Sequence, residues 1–156
     1  MRVNKFFLNS KRGFTLLEIL LVVAMIAILA GIVIIAINPA KQMAEARNAQ
    51  RASDIKTILD AIYQYSIDNN GNMPGSITAT LTDICYTPAH NGNCSGYIDL
   101  SALTNNERYL TSIPKDPSGA CNVSNDSCYQ VAISGGSRIT VYARLAELGK
   151  TISATK

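Results

Sequence analysis

One apolar segment limits what this chain can fold into. From Phe14 to Ile37, 24 residues carry a single charged side chain, that of Glu18. A helix rises about 1.5 Å per residue, so this segment would be roughly 36 Å long. The hydrocarbon core of a bilayer is roughly 30 Å thick. The segment therefore predicts a helix that crosses a membrane with some tilt.

Basic residues are concentrated before this segment. Residues 1–13 carry four basic side chains and no acidic one, whereas the remaining 143 of the 156 residues carry 10 basic and 11 acidic side chains and sum to −1. The positive-inside rule places residues 1–13 in the cytoplasm and the C-terminal part outside. Because the basic excess ends with these residues, net charge gives little support to nucleic-acid binding.

Four cysteines, Cys85, Cys94, Cys121 and Cys128, lie in the part expected outside the cytoplasm. An even number there favours disulfides, for which three pairings exist. Pairing of sequence neighbours, 85 with 94 and 121 with 128, is preferred. Neither pair has the spacing of a zinc site, and His90 is the single histidine.

Helical periodicity continues after the apolar segment. Asn38-Pro39 signals a break, and residues 69–74 predict the helix end near Asp68. Between them, apolar residues recur at steps of three and four and predict one buried stripe, with the charged side chains mainly off it. The stripe comprises Met43, Ala46, Ala49, Ala52, Ile55, Ile58, Leu59, Ile62 and Tyr63.

The C-terminal half predicts loops followed by a hairpin. Residues 75–128 are rich in Ser, Thr, Asn and Gly, with one short strand predicted at 97–100. Alternation over 129–133 and 139–145, around a turn, predicts a β-hairpin with one buried face. The tail after Leu148 is expected to fray. Covering the hairpin with the helical stripe gives an α+β fold: a long N-terminal helix whose second half packs on a small antiparallel sheet.

Lys11-Arg12-Gly13-Phe14, followed by Glu18 and the apolar segment, resembles the N-terminal motif of type IV prepilins and pseudopilins. In that family, a basic leader ends in Gly before an aromatic residue, and a Glu follows four residues later. The resemblance implies cleavage between Gly13 and Phe14 by a prepilin peptidase. It also implies N-methylation of the new Phe14 amine.

Each residue type in this motif has a physical reason. Gly13 lets a protease approach the backbone closely, and Lys11 and Arg12 hold the site on the cytoplasmic face. An acid such as Glu18 costs about 2.5–3.5 kcal/mol at the centre of a span, and less near its end. The resemblance suggests that Glu18 pairs with the Phe14 amine of a neighbouring subunit.

Residues 107–119 resemble the YL…IPxDPxG stretch of major pseudopilins and related pilins. An Asp-initiated turn is expected at Asp116. Major pseudopilins usually have Trp where this chain has Ser118, and they tend to lack this cysteine pattern. Both departures favour a pilus subunit. Gly31 and Pro39 bound the segment where the long helix is expected to open.

The resemblance implies a leader (1–13), a transmembrane or filament-core helix (14–37) and a globular pilin domain (38–156). The predicted function is structural and not enzymatic: a subunit of a type IV pilus-like filament for adhesion, motility or DNA uptake. Implied partners are copies of the chain, the prepilin peptidase and methyltransferase, an inner-membrane assembly platform with its ATPase, minor pilins, and membrane lipid before assembly. The precursor is expected in the cytoplasmic membrane, and the mature chain in a pilus or periplasmic pseudopilus.

Two alternatives remain open: a pseudopilin of a type II secretion or competence system, and a single-pass membrane-anchored binding domain. One histidine and paired cysteines exclude the usual catalytic sets. No cofactor or metal is expected, although aspartates at 83, 99, 116 and 126 are the residues that could bind calcium; they do not form a dense ligand loop. Contact with DNA would use scattered surface charges, namely Lys115, Arg138, Arg144 and Lys150. N-x-Ser triplets begin at Asn93, Asn122 and Asn125.

Overall fold

The computed structural model describes residues 13–75, 77–86, 94–121 and 123–156, in which two helices precede an antiparallel sheet. The helices are α1 (Leu16–Ile37) and α2 (Pro39–Asp68). The strands, in the order in which they pair, are β1 (Thr82–Cys85), β2 (Asp126–Ile133), β3 (Ile139–Ala143) and β4 (Ser153–Thr155). This architecture confirms the predicted α+β class. The contacts divide the chain into an N-terminal unit that ends at Pro39 and a second unit from Ala40 to Lys156.

The long helix is interrupted at one residue. Asn38 has a left-handed backbone (φ 47°, ψ 82°), and Pro39 is the first residue of α2. Proline disfavours a helical conformation in the residue before it, and its missing N–H costs nothing in a first helical turn. Gly31, the other residue proposed as a helix break, lies inside α1. In this structure, the opening is therefore confined to Asn38.

The predicted stripe on α2 is right in its second half. Ile55, Ile58, Leu59 and Ile62 are all buried, between 0 and 5% exposed. They form the hydrophobic core together with the buried faces of β2 and β3. The sheet also contributes Ile84 from β1. Its core residues are Ile84, Tyr129, Val131, Ile139, Val141 and Ala143, and the loops between β1 and β2 contribute Ile98, Leu100, Leu103, Leu110 and Ile113.

The first half of the stripe is wrong. Met43 is exposed, whereas Ala44, Asn48 and Arg51 are buried. Each residue turns the helix by about 100°, so a series with steps of three drifts by about 60° per step. The alanines at 46, 49 and 52 therefore wind away from the face that Ile55 occupies. The face that does pack has polar residues at its start.

The predicted hairpin is confirmed, and a fourth strand extends it. Val131 pairs with Val141, and Ile133 pairs with Ile139. The prediction that the tail frays is wrong, because β4 pairs with β3. The backbone amides of Ile139 and Lys156 each donate to the other's carbonyl at 3.0 Å. Side chains of the returning segment also pack on the core, which stabilises it.

The strand predicted at 97–100 is also wrong. Only Ile98 pairs, through a single parallel bridge to Ile84. The carboxylate of Asp99 accepts a hydrogen bond from the Ser101 amide at 2.8 Å, and a 3₁₀ turn (Ser101–Leu103) follows. An aspartate that binds the backbone two residues ahead competes with strand pairing. The four-residue β1 was not predicted.

Candidate processing and assembly site

The predicted cleavage point lies at the exposed start of the described chain. Gly13 and Phe14 are both exposed. A Cβ added at Gly13 would meet no described atom within 4 Å. The fold of the described residues therefore does not require glycine at position 13. A requirement for glycine there would come from the peptidase, as the predicted cleavage site implies. Lys11 and Arg12, the predicted leader charges, lie outside the described residues.

Thr15 fixes where α1 begins. Its backbone is extended (φ −81°, ψ 150°), and its hydroxyl accepts a hydrogen bond from the Glu18 amide at 3.2 Å. This contact is one half of a capping box, in which a Thr precedes a Glu by three residues. Thr15 was not singled out in the sequence, although its spacing from Glu18 carries that signal. The cap starts α1 two residues after Phe14.

Glu18 lies in the first turn of α1 and is exposed. Within residues 13–75, 77–86, 94–121 and 123–156, its carboxylate makes no hydrogen bond or ion pair. The positive end of the helix dipole favours an acid at this place, but a carboxylate next to an apolar layer still needs a partner. The described residues thus leave its acceptor oxygens available to another molecule.

Apart from Glu18, the surface of α1 is apolar along its length. None of its 22 residues is buried, and by length and composition the helix is able to cross a membrane. Phe14 and Leu16 are 80% and 82% exposed. Water is a poor environment for so much apolar surface. Either lipid or other apolar helices must therefore cover α1.

Arg51 stands at the centre of a partly buried polar cluster in the globular unit, which we call the Arg51 cluster (Arg47, Asn48, Arg51, Asp116 and Glu147). Arg51 donates from Nε and Nη2 to both carboxylate oxygens of Asp116, at 2.7 and 3.0 Å, and both side chains are fully buried. Its Nη1 also donates to Glu147 Oε2 at 2.8 Å and to Asn48 Oδ1 at 2.8 Å. One guanidinium thus joins three segments of the chain.

Glu147 carries the outer part of the Arg51 cluster. Arg47 donates to both of its carboxylate oxygens, at 2.6 and 2.7 Å, and Asn48 exchanges two hydrogen bonds with its backbone. The hydrogen bonds from Arg47 and then Arg51 lower the pKa of Glu147 to about 2. Burial alone would raise the pKa of Asp116, but the hydrogen bonds from Arg51 and Ser118 lower it below its usual range.

The sequence patterns do not predict the role of Arg51, but they predict part of the environment of Asp116. The Ser118 amide donates to Asp116 Oδ1 at 2.9 Å, which confirms the Asp-initiated turn. One feature of the sequence indicates that Arg51 faces the core: its spacing from Asn48 and Ile55 places the three residues on one helical face. A charged residue in such a pattern is usually solvent-exposed, so the spacing alone did not identify it.

Both disulfides have the pairing preferred from the sequence. Their Cα–Cα distances are 5.6 Å for Cys85–Cys94 and 5.9 Å for Cys121–Cys128. Both distances are usual for disulfides.

The four aspartates considered for calcium each accept a hydrogen bond from a protein donor. Asp83 and Asp126 both accept from Arg144, each at 2.7 Å. Asp116 belongs to the Arg51 cluster, and Asp99 binds the Ser101 amide. They are not gathered around one point. His90, Asn93 and Asn122 lie outside the described residues.

Comparison with known proteins bears on the N-terminal motif and on the family of the chain. Residues 8–34 match the family described as "Prokaryotic N-terminal methylation motif". Type II secretion system core protein G of Escherichia coli (strain K12) is 29% identical over 117 residues, which cover 71% of this chain and 69% of that protein. No solved structure gives a significant match. Together, the methylation motif and this relative support the assignment of the chain to the type IV pilin and pseudopilin family.

Proposed function

We propose that this chain is the structural subunit of a type IV pilus-like surface filament, cleaved between Gly13 and Phe14 and polymerised through α1. One observation carries the proposal: a 22-residue apolar helix without a buried residue starts two residues after Phe14. Lipid covers such a helix before assembly, and copies of the same helix cover it afterwards. No enzymatic step is assigned to the chain.

Pairing of charges gives assembly its register. Removal of the leader leaves a cationic amine on Phe14, and the carboxylate of Glu18 has no partner among the described residues of its own chain. The amine of one subunit pairs with Glu18 of the next and fixes the axial offset between them. Burial of this pair in an apolar bundle favours the one offset at which neither charge is left alone.

Assembly exchanges one apolar environment for another. Lipid chains are as apolar as the side chains of α1, so close packing and the charge pair, more than the hydrophobic effect, drive the helices together. Head-to-tail contacts that do not close produce a filament. The peptidase and methyltransferase, the assembly platform with its ATPase, and minor pilins are separate proteins in this proposal.

A pseudopilin of a type II secretion or DNA-uptake system is the second candidate. Its support is the similarity to a type II secretion core protein over 71% of this chain. Ser118, where major pseudopilins usually have Trp, and the two disulfides favour the pilus. Both candidates share the same processing and the same role for α1.

Mass spectrometry of the N-terminus, on sheared surface material and on membranes separately, tests the proposal. A chain that starts at methylated Phe14 in abundant sheared fibres is the result expected for a pilus subunit. The same species confined to membranes would favour the pseudopilin. An intact leader in both fractions would overturn both candidates and leave a membrane-anchored binding domain.

A further inference from the structure

Two adjoining clefts lie beside the C-terminal end of α2, and neither is lined by a residue of the Arg51 cluster. Their volumes are about 280 and 430 Å³. Asn105 and Asn106 contribute to the walls of both. We call this continuous surface the asparagine cleft. None of the proposed assembly steps uses it.

The loop that forms the asparagine cleft is held firmly. Leu103 and Leu110 anchor it in the hydrophobic core at 0% and 9% exposure, and the amide of Leu110 donates to the Leu103 carbonyl at 3.0 Å. Asn106 and Glu107 both have φ of 54°. Two consecutive non-glycine residues rarely adopt this left-handed conformation, and such conformations concentrate at functional sites.

The walls offer uncommitted neutral hydrogen-bonding groups. Asn105 and Asn106 are exposed, and their side-chain amides have no hydrogen-bond partner within the described parts of the chain. Each amide presents one acceptor oxygen and two donor hydrogens. The larger cleft is otherwise lined by Ser101, Ala102 and Thr104, so it contains no charged side chain.

An aromatic wall closes the smaller cleft. Tyr65 and Tyr109 meet edge to face with ring centroids 5.6 Å apart, and the Arg108 guanidinium lies 5.3 Å from the Tyr109 ring centre. Arg108 and the Tyr109 hydroxyl both donate to Asp68 Oδ2, at 3.0 and 2.9 Å. Asp68 therefore offsets the charge of Arg108, and the wall combines apolar ring surface with no net charge.

We propose that the asparagine cleft binds a neutral carbohydrate. Sugar hydroxyls both donate and accept hydrogen bonds and so match the amides of Asn105 and Asn106, while the C–H face of a sugar ring matches the ring surface of Tyr65. A preformed cleft with a few convergent polar groups is the usual form of a small-ligand site. An anionic ligand would find no unpaired cation on the described walls of the cleft. A lipid chain would leave the side-chain amides of the cleft without hydrogen bonds.

A glycan array tests this proposal with the full-length chain. A zwitterionic detergent is required, because detergents with sugar headgroups would compete. The array carries neutral oligosaccharides beside sialylated and sulfated forms of the same backbones, and the neutral glycan bound best is then titrated by calorimetry. We expect binding to neutral glycans without a gain from added negative charge.

Asn106→Gly removes one cleft amide and keeps the backbone, since glycine adopts positive φ freely. We expect affinity to fall by about five- to tenfold, as for loss of one neutral hydrogen bond. Asn70→Gly is the matched control, because Asn70 is also exposed and has φ of 55° but does not line the clefts. Asn105→Ser removes a second amide independently.

Three results would overturn the proposal: no neutral glycan bound, tighter binding of the anionic forms, or unchanged affinity in both asparagine variants. Near-UV circular dichroism of each variant establishes that the fold is intact. The proposal does not depend on filament formation, because the measurement uses unassembled subunits. Its failure would leave the assembly role of α1 untouched.

Discussion

At the level of single residues, charge placement separates the two halves of the molecule. Glu18 is a carboxylate in an apolar helix with no partner among the described residues. Arg51 is a fully buried cation with two carboxylate partners. The first has no counterion among the described residues, whereas the second is satisfied within its own chain. Substitutions at the two positions should therefore affect different properties.

Glu18→Gln keeps the size of the side chain and removes its charge. We expect leader cleavage and membrane insertion to persist, while sheared filaments decrease about tenfold or more, since loss of about 1.4 kcal/mol per contact already changes an equilibrium tenfold. Immunoblots of sheared and membrane fractions measure this. Glu45→Gln, a similar change in α2 outside the apolar segment, is the control. Normal filament yield from Glu18→Gln would contradict the proposed pairing.

Arg51→Met leaves the buried carboxylate of Asp116 without its cation. We expect a loss of about 3–5 kcal/mol in the free energy of unfolding, which is the usual effect of removing one partner of a buried ion pair. Denaturant titration followed by the tyrosine near-UV signal measures it. Arg138→Met, at an exposed arginine, should change stability little.

The double variant Arg51→Met, Asp116→Leu sharpens that test. It removes both charges, so part of the lost stability should return. If the double variant were as unstable as the sum of the two single variants, the ion pair would not be what couples these positions.

At the level of elements, the two helices achieve stability differently. α1 has no buried residue, whereas α2 buries one face against the sheet and the loops. The segment after β3 returns along α2 through Glu147 and then forms β4. Elements far apart in the chain are thus held together by one ionic contact region.

Stability of the globular unit should depend on pH through Glu147. Its pKa falls from 4.5 to about 2 in the folded chain, so the folded state binds fewer protons at acidic pH. Its contribution is complete above about pH 4.5 and is lost as the pH falls towards 2. The lowered pKa of Asp116 acts in the same direction. Urea midpoints measured between pH 6 and pH 2 by tyrosine near-UV signal are expected to decline over this interval.

Glu147→Gln should reduce that decline, because the side chain can no longer be protonated. The same series with Glu45→Gln serves as the reference and should retain the wild-type slope. An identical pH dependence in Glu147→Gln and the wild-type chain would show that the Arg51 cluster does not control acid stability.

At the level of the whole molecule, the chain consists of two units with different requirements. The unit from Ala40 to Lys156 contains the hydrophobic core, the Arg51 cluster and both disulfides. The N-terminal unit contains the apolar helix and the predicted cleavage site. Processing and assembly are proposed for the first 39 residues, and surface recognition for the rest.

A fragment of residues 40–156, secreted under oxidising conditions, should fold alone. Every residue of the hydrophobic core belongs to this fragment, so the fragment keeps all of its core side chains. We expect a soluble monomer with a cooperative unfolding transition, measured by size-exclusion chromatography and near-UV circular dichroism. The same fragment with all four cysteines changed to serine should be less stable by about 2–4 kcal/mol for each disulfide. An aggregated fragment with intact disulfides would contradict the division into two units.

Local patterns in the sequence predicted much of the structure. The apolar segment, the helix end at Asp68 and the hairpin from Asp126 to Ala143 each depend on residues that are close in sequence. Hydrophobic patterning predicts the apolar segment and the hairpin, and the stop signal at residues 69–74 predicts the helix end. The cleavage motif is also contiguous, which is why the predicted positions of Gly13, Phe14 and Glu18 could be named without a structure.

The sequence by itself predicted one apolar helix long enough to cross a membrane, followed by a small disulfide-containing α+β domain. Only the tertiary structure decided which face of α2 is buried, that Arg51 meets Asp116 and Glu147, and that the tail forms β4. The two contacts of Arg51 join residues that are separated by 65 and 96 positions in the sequence. Periodicity describes a residue's own helix or strand, whereas a buried charge is stable only where the folded chain supplies its partners.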